Sequence, residues 1–576
     1  MKFTTLISLL CLICNVSVHA KEHWQTRTWQ KLVHYSKSNH VSEIKNKDFF
    51  VSPHGKYNPE AEFLATVALL TSPQKSQNER LCRYPARALY LASLGYEVVD
   101  IKSLCNDFAQ FHGDLTQQQV SIVYADGYLG NPASFYGHLL FKLKSDELST
   151  DLLSNSLNFG AKVPDNENPI TYILKGLVGG YDAKYSSNHY YRYNINYTEV
   201  EMRDLWQYTL NLNSQEKDLL VAHAWELLFT NYTYYFTHRN CAYHIAKMIE
   251  LVLQEDLVSS SRPFILPISV FSALEIAKTS AGNKAILAVE HTLSRQARFR
   301  QHYADLTPLM RGRLADIVAK AKTVTDIQDR LADLNVEQKM RIFDVLLDYV
   351  NFNLELHKEN QHLKTLKRHA QQARIKLPAK KVQWSESLAV MPHTGQNPTT
   401  LRTTAGYNKV IGSYLDLMLR PAYYDMLSQP GGILPNSALS MAALTVRFSD
   451  HQMALSKLDL LNIETVDTRA TGLPGDVGIA WKLRLGNKRN YLGPADVSNE
   501  FFVESGVGKG VSFDDVALYA LAVGRVQTPD SLDTRFMILP TLGILWASDD
   551  FKGQCKLVLP IRIASETYKK RLKSSC

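Results

Sequence analysis

The sequence of 576 residues contains 45% hydrophobic and 21% charged residues, fractions that are ordinary for folded proteins and exclude wholesale disorder. The length predicts several domains. The formal net charge of +8 is modest for this length; it fits contact with anionic lipid headgroups and excludes a nucleic-acid partner. Beyond the amino terminus no apolar segment is long enough for a transmembrane helix, so we expect no helical membrane insertion.

Residues 1–20 have the organisation of a cleavable secretion signal. Met1 and Lys2 form a positive n-region, residues 6–13 are apolar, and residues 18–20 (VHA) present small residues to a signal peptidase. The apolar stretch is shorter than the ~20 residues that span a bilayer. We therefore expect cleavage near Ala20 and export to the periplasm or outer membrane of a Gram-negative cell envelope, with an uncleaved anchor as the alternative.

The amino-terminal half of the mature chain predicts two regions. Residues 23–115 are mainly helical, with helix-like stretches at residues 60–70 and 87–94. Residues 120–275 mix both kinds of element: residues 121–124 and 138–143 are β-rich runs, while residues 199–228 and 240–253 are helix-like. This second region is therefore predicted to be an α+β domain.

The carboxyl-terminal half predicts two more regions. Residues 285–380 are charged, have apolar positions at helical spacing and lack strand signals, which indicates packed helices. Residues 385–576 contain period-two segments such as residues 442–448 and 477–485, which are typical of antiparallel strands with one apolar face. An outer-membrane barrel and a soluble sheet both remain open, because the basic end of the chain, residues 568–576, is a poor final membrane strand. The fold class is thus α+β multidomain.

Five cysteines remain after removal of the signal: Cys82, Cys105, Cys241, Cys555 and Cys576. In an oxidising compartment cysteines tend to pair. The first two and the last two are candidates for local disulfides, although spacing alone leaves the connectivity open. Cys241 is the odd thiol, and it is either a buried structural residue or a reactive group.

The residues around Cys241 and His138 are the best candidates for chemistry. Gly137 precedes His138 at the start of a predicted strand and permits close backbone approach. Asn240 is a good helix N-cap, so Cys241 falls in the first helical turn, where the helix dipole favours the thiolate. A histidine near that thiolate would complete a Cys-His pair.

Residues 125–253 resemble the periplasmic domain of the Lnb-type lipoprotein N-acyltransferase family. The matching blocks are residues 132–138 (PASFYGH), 157–161 (LNFGA), 175–181 (KGLVGGY), 201–206 (EMRDLW) and 235–243 (YFTHRNCAY). The resemblance implies a circularly permuted papain-like fold. It also implies that Cys241 is the nucleophile and His138 the base, and that Asn158 orients the imidazole or stabilises the oxyanion.

Two positions depart from the family pattern. Arg239 stands where the resemblance implies an acidic residue, and Ala242 replaces a small hydroxyl residue. Both lie close to the thiol and put the substrate, and even the activity, in question.

The favoured function is a thiol-dependent acyltransferase or hydrolase that forms a thioester on Cys241. Its substrate would be a lipid, lipoprotein, peptide or peptidoglycan-associated group, with possible contact to the outer membrane, and we expect no cofactor and no metal. One alternative is a metal site of His238, Cys241 and His244, which lacks an evident fourth ligand. The other is a non-enzymatic, envelope-anchored binding or scaffold protein, which predicts a buried and slowly reacting Cys241.

Overall fold

The chain forms two compact units. The computed structural model describes residues 23–72, 78–113, 119–129, 134–144, 151–386, 389–429, 431–449, 452–493, 496–513, 515–528, 535–548 and 551–563. The first unit comprises residues 1–197 and 205–292, and the second comprises residues 198–204 and 293–576. The predicted signal peptide, the basic carboxyl end and Cys576 lie outside the described residues.

Several helices of the first unit begin at good capping residues. For example, the Asn58 side chain accepts a hydrogen bond from the Ala61 N–H, and Pro59 occupies the first helical position. The predicted helices at residues 60–70, 87–94 and 240–253 are confirmed. The helices are α1 (Arg27–Leu32), α2 (Pro59–Thr71), α3 (Asn78–Leu81), α4 (Pro85–Ser93), α5 (Ile101–Leu104), α6 (Asn106–His112), α7 (Pro169–Val178), α8 (Tyr190–Asn194), α9 (Ser214–Leu227), α10 (Cys241–Ile249) and α11 (Pro267–Ile276).

An antiparallel sheet runs through this unit in the order β6-β4-β3-β2-β1-β5-β7. Its strands are β1 (Gln119–Ala125), β2 (His138–Lys144), β3 (Asn155–Ala161), β4 (Tyr181–His189), β5 (Leu205–Leu210), β6 (Tyr232–Tyr234) and β7 (Ile286–Thr292). The predicted strands at residues 121–124 and 138–143 are confirmed.

Two strands correct the sequence prediction. β5 lies within residues 199–228, which the pattern predicted to be helical; its side chains are buried on both faces, so its hydrophobic run has no alternation to reveal a strand. β7 lies in the region predicted to be helical without strands. It is an edge strand with mostly exposed side chains, and its sequence therefore carries no clear apolar face.

The helical amino-terminal segment packs into the same core as the sheet. Trp29 and Phe63 meet edge to face with ring centroids 5.0 Å apart, and they belong to one buried cluster with Tyr243 and Ile249. The predicted Cys82–Cys105 disulfide is confirmed, with Cα atoms 5.6 Å apart. Cys555 is exposed, and its predicted partner Cys576 lies outside the described residues.

A fully buried ion cluster fastens this segment to α9. The Arg87 guanidinium lies 2.7 Å from the Glu62 carboxylate and 3.3 Å from that of Glu226, and all three side chains are inaccessible to solvent. Glu62 also accepts hydrogen bonds from the N–H groups of Val51 and Ser52. Since a buried charge is costly unless paired and hydrogen-bonded, these contacts make the segment integral to the unit.

The second unit begins with helices. They are α12 (Arg295–Ala304), α13 (Pro308–Lys320), α14 (Val324–Arg330), α15 (Val336–Leu356) and α16 (Gln361–Arg374). Their apolar faces form one cluster in which Phe299, Leu314, Ile342 and Val350 are fully buried. Of residues 285–380, predicted to form packed helices, residues 295–374 contain these helices. None of the described helices has the length and apolar character needed to span a bilayer.

A long antiparallel sheet follows, in the order β18-β17-β15-β14-β13-β12-β11-β9-β8. Short strands β10 and β16 pair with β11 and β15, and β19 pairs with β16. The strands are β8 (Thr400–Asn408), β9 (Gly412–Arg420), β10 (Ala422–Tyr424), β11 (Ser437–Ser449), β12 (Gln452–Val466), β13 (Ala480–Gly493), β14 (Asp496–Phe513), β15 (Val516–Gln527), β16 (Phe536–Ile538), β17 (Thr541–Ala547), β18 (Lys552–Val558) and β19 (Ile561–Ile563). The α+β class with antiparallel strands is confirmed.

Candidate active site

His138 is the first residue of β2 and pairs with Ala125 of β1. Gly137 before it has φ +96°, and a Cβ atom there would lie 2.2 Å from the Tyr124 ring and 2.7 Å from the Ala125 carbonyl oxygen. Only glycine fits both the positive φ and the close approach. The predicted role of Gly137 in bringing the backbone close is therefore met by the geometry.

Asn158 lies on β3, opposite Leu140 of β2. Because residues two apart share a face of a strand, His138 and Asn158 point to the same side of the sheet. The Asn158 Oδ1 atom lies 2.6 Å from His138 Nε2. A carbonyl oxygen only accepts, so Nε2 carries a proton and Nδ1 is the ring nitrogen available to a second group.

Cys241 occupies the first position of α10, which lies against β2 and β3. Asn240 caps the helix: its Oδ1 accepts from the Tyr243 N–H at 3.2 Å, and its Nδ2 donates to the carbonyl oxygens of Phe236 (3.1 Å) and Ile265 (2.8 Å). The predicted N-cap is therefore present, and it fixes the backbone that carries the thiol. The Cys241 side chain is only 3% exposed.

The structure brings Cys241, His138 and Asn158 together. The thiol is hydrogen-bonded to the His138 side chain, and the backbone N–H groups of Leu139 and Ala242 point at the sulfur. Burial opposes ionisation of the thiol, but the attraction and hydrogen bond of His138 and the two N–H groups outweigh it and hold the pKa of Cys241 below its ordinary value. This arrangement can generate a thiolate at the head of a helix.

Two tyrosines surround the pair, and the sequence pattern assigned neither a role. The Tyr234 hydroxyl accepts a hydrogen bond from the Cys241 N–H, and burial together with the nearby Cys241 raises the pKa of Tyr234. The Tyr197 ring lies with its centroid 6.1 Å from that of His138. Tyr234 lies in a run of aromatic residues at 232–236, a pattern that fits core packing and an acyl-chain groove equally well.

Arg239 and Ala242, the two residues that depart from the family pattern, each make a contact in the structure. The Arg239 guanidinium lies 3.4 Å from the Glu43 carboxylate, and the Tyr243 hydroxyl donates to the same carboxylate at 2.8 Å. Burial raises the pKa of Glu43, and Arg239 and Tyr243 counter that effect. Ala242 is fully buried and offers the sulfur its backbone N–H, which any residue type supplies.

The alternative metal set is not assembled. His238 Nδ1 lies 2.9 Å from the Thr237 hydroxyl, while the buried His244 ring stacks on Phe159 at 4.1 Å. Burial holds the pKa of His244 well below its ordinary value. Across the described part of the chain, no group of three or more His, Cys, Asp or Glu side chains could hold a metal ion.

Three family models match the chain. Residues 107–275 match the Lnb N-terminal periplasmic domain. Residues 21–93 and 389–575 match two domains of unknown function, DUF7843 and DUF7840 respectively. No curated protein and no solved structure matches the chain. The first match agrees with the resemblance noted from the sequence blocks and with export to the periplasm.

Proposed function

Because residues 107–275 carry an Lnb N-terminal periplasmic domain, we propose that this protein is an envelope acyltransferase or hydrolase that forms a thioester on Cys241. The observation that carries the proposal is the hydrogen-bonded series from the Cys241 thiol through His138 to Asn158 Oδ1. A Cys-His-Asn series is the catalytic arrangement of papain-like enzymes. It supports the permuted papain-like arrangement, in which the histidine precedes the cysteine in the chain.

The reaction follows from these positions. The Cys241 thiolate attacks the acyl carbonyl carbon, and the His138 imidazolium gives its proton to the departing alcohol or amine as the carbon–heteroatom bond breaks. His138, neutral again, removes a proton from the acceptor, which is an amine for transfer or water for hydrolysis. The acceptor then attacks the thioester carbonyl and the carbon–sulfur bond breaks, which releases the Cys241 thiolate beside the His138 imidazolium.

The tetrahedral intermediate places a negative oxygen next to Cys241. The Tyr234 hydroxyl lies beside the Cys241 N–H and can donate a hydrogen bond to that oxygen. Its raised pKa keeps the hydroxyl protonated and therefore a donor. We assign Tyr234 this role, and expect Tyr234→Phe to slow acyl transfer without removing the thiolate.

A lipid-borne acyl group is the favoured substrate because helix α7, next to the site, exposes an apolar stripe. Its exposed residues recur at helical spacing: Ile170, Ile173, Leu174, Leu177 and Val178. The opposite side of α7 packs on the residues that lead to the thiol. The Tyr172 and Phe236 ring centroids lie 4.9 Å apart, and a Cβ atom on Gly176 would lie only 2.3 Å from the Phe236 ring. An apolar surface beside a thioester site suits fatty acyl chains better than polar peptides.

The experiment is acyl trapping on the full chain. Incubation with p-nitrophenyl butyrate, and separately with phospholipid vesicles, is followed by peptide mass spectrometry. We expect an acyl adduct on Cys241 that hydroxylamine removes, absent in Cys241→Ser and retained in the matched variant Cys555→Ser. Turnover that persists in Cys241→Ser would falsify the proposal.

One observation favours the second candidate, a non-enzymatic envelope binding protein: the Cys241 side chain is 3% exposed. If the protein is not an enzyme, Cys241 should be alkylated slowly, and His138→Ala should leave the rate unchanged. If the protein is an enzyme, Cys241 should be alkylated rapidly at pH values below ~8.5, the pKa of a free thiol, and His138→Ala should slow this alkylation. The two candidates are thus separated by one alkylation series.

A further inference from the structure

The long sheet of the second unit distributes its side chains in the reverse of the usual way. Along β15, the exposed positions are all apolar: Val516, Leu518, Ala520, Ala522, Gly524 and Val526. We call this side, and its continuation on neighbouring strands, the outer face. A sheet with one side in water normally carries polar residues on that side.

Neighbouring strands extend the outer face in register. Leu518 pairs with Val511 of β14 and Ile544 of β17, and Ile544 pairs with Cys555 of β18. At the other end of the strand order, one row contains Ala405, Leu415, Phe448 and Met453, from β8, β9, β11 and β12. Met453 is 70% exposed and Leu415 47%. The outer face is therefore a continuous apolar surface, far larger than chance exposure of single residues.

The opposite side of the sheet carries charged residues beside a small buried apolar cluster that includes Tyr519, Leu521 and Val523. Four ion pairs link neighbouring strands: Asp416–Arg447 at 2.7 Å, Asp459–Arg484 at 2.7 Å, Glu504–Lys482 at 2.9 Å and Glu500–Arg525 at 3.0 Å. A fifth, Glu464–Lys556 at 2.6 Å, joins β12 to β18, which are not adjacent in the strand order. These carboxylates are largely buried. Charged residues inside and apolar residues outside are the distribution of a sheet whose surroundings are less polar than its interior.

The height of the outer face matches a bilayer. The ten residue steps from Val516 to Val526 span about 34 Å at ~3.4 Å per residue. With the roughly 45° tilt of membrane strands this becomes about 24 Å, close to the ~25 Å apolar band of outer-membrane proteins.

Aromatic side chains border the outer face at both ends. Phe513 and Trp546 pair with Val516 at one end; Phe536 pairs with Val526 at the other, where Phe501 is also exposed. Aromatic residues gather at the two interfaces of a membrane. Lys509 lies on the outer face near the Phe513 end, where its long side chain can reach the headgroups.

We propose that the outer face is covered by the hydrocarbon of a lipid bilayer, so that this sheet holds the protein at a membrane. The inference does not depend on the chemistry of Cys241. We propose lipid rather than a second copy of the chain as the occupant. A bilayer explains both the height of the outer face and the aromatic residues at its two ends, whereas a protein interface requires neither.

The test places a fluorophore on the outer face of the full chain. Leu518→Cys and Leu542→Cys are each made with Cys241, Cys555 and Cys576 changed to Ser, and labelled with the small probe NBD. Leu309→Cys, on exposed helix α13, is the matched control. Each protein is reconstituted from detergent into vesicles of phosphatidylethanolamine and phosphatidylglycerol, with or without phospholipid brominated on its acyl chains.

We expect brominated acyl chains to quench the probes at residues 518 and 542 and to leave the probe at residue 309 unchanged. Quenching of both outer-face probes by aqueous iodide would overturn the proposal. Shielding from iodide without bromine quenching would also overturn it and would point to a second copy of the chain. A chain that separates from the vesicles when detergent is removed would do the same.

Discussion

The hydrogen bond between Asn158 and His138 makes a quantitative prediction for Asn158→Ala. The Asn158 oxygen accepts from Nε2 whether the imidazole is neutral or charged, at 2.6 Å. A hydrogen bond is worth about 0.5–1.5 kcal/mol between neutral groups and about 1.5–3 kcal/mol when one group is charged. Losing the bond therefore costs the imidazolium about 1–1.5 kcal/mol more than it costs the neutral ring.

That difference reduces the fraction of Cys241 present as thiolate paired with imidazolium. At about 1.4 kcal/mol per factor of ten, the ratio of the thiolate–imidazolium pair to the neutral thiol–imidazole pair is expected to fall about five- to twelvefold. Since only the thiolate reacts with iodoacetamide, the alkylation rate falls by the same factor. The fall is largest at pH values where the neutral pair predominates, and it vanishes at low pH, where both groups carry protons.

The assay is isotope-coded alkylation of the full chain over a pH series, read by mass spectrometry of the Cys241 peptide. A free-cysteine peptide added to each sample is the internal reference for the alkylation rate. Asn155→Ala is the matched control, because Asn155 lies on the same strand but faces the other side of the sheet. An Asn158→Ala protein that remains folded and keeps the parental profile would refute a positioning role for Asn158.

Three other predictions concern α7 and the buried ion cluster. Leu174→Asp should lower turnover of acyl groups in phospholipid vesicles roughly tenfold or more, because the exposed Leu174 side chain would no longer be buried against the lipid, and it should leave a soluble butyrate ester unaffected. Equal loss on both substrates would contradict this prediction. Arg87→Met leaves two buried carboxylates without a positive partner and should lower the free energy of unfolding by about 3–5 kcal/mol in guanidinium titrations. Adding Glu62→Gln should restore part of this loss. A loss below about 1 kcal/mol would contradict a stabilising role for the ion cluster. Burial raises the pKa of Glu226 from 4.5 to about 7, so its protonation stabilises the fold fully below about pH 4.5 and this contribution disappears as pH rises through 7. The stability of the parent relative to Glu226→Gln should therefore fall across that range, and a constant difference would be inconsistent with the raised pKa.

Local signals predicted much of the candidate site. Asn240 as a cap, Gly137 before a strand and the odd count of cysteines each have a physical reason that a short stretch of sequence reveals. Local pattern alone could not place Asn158 against His138, because that contact depends on the register of β2 and β3, and only the family resemblance pointed to Asn158. Nor could it place Tyr234 on the Cys241 N–H, since an aromatic run looks the same in a core and in a site.

The fold shows the same division. Helices with clear caps, such as α2 and α10, were predictable. β5 and β7 were not, because one strand is buried on both faces and the other is exposed on most of its length. In both strands the hydrophobic period that distinguishes strand from helix is missing, and only pairing with neighbours defines them.

The buried ion cluster has a consequence for how this protein can be divided. The family boundaries fall between residues 93 and 107, yet Arg87 lies on one side and its partner Glu226 on the other. In a fragment comprising residues 107–275 alone, the Glu226 carboxylate would lack its partner Arg87. The hydrophobic surface on which Trp29 and Phe63 now pack would be exposed to solvent. Such a fragment should aggregate, whereas residues 23–292 should fold. The regions matched by the two family models therefore form one folding unit in this chain. A gene rearrangement that separated them would remove the packing that supports the thiol site.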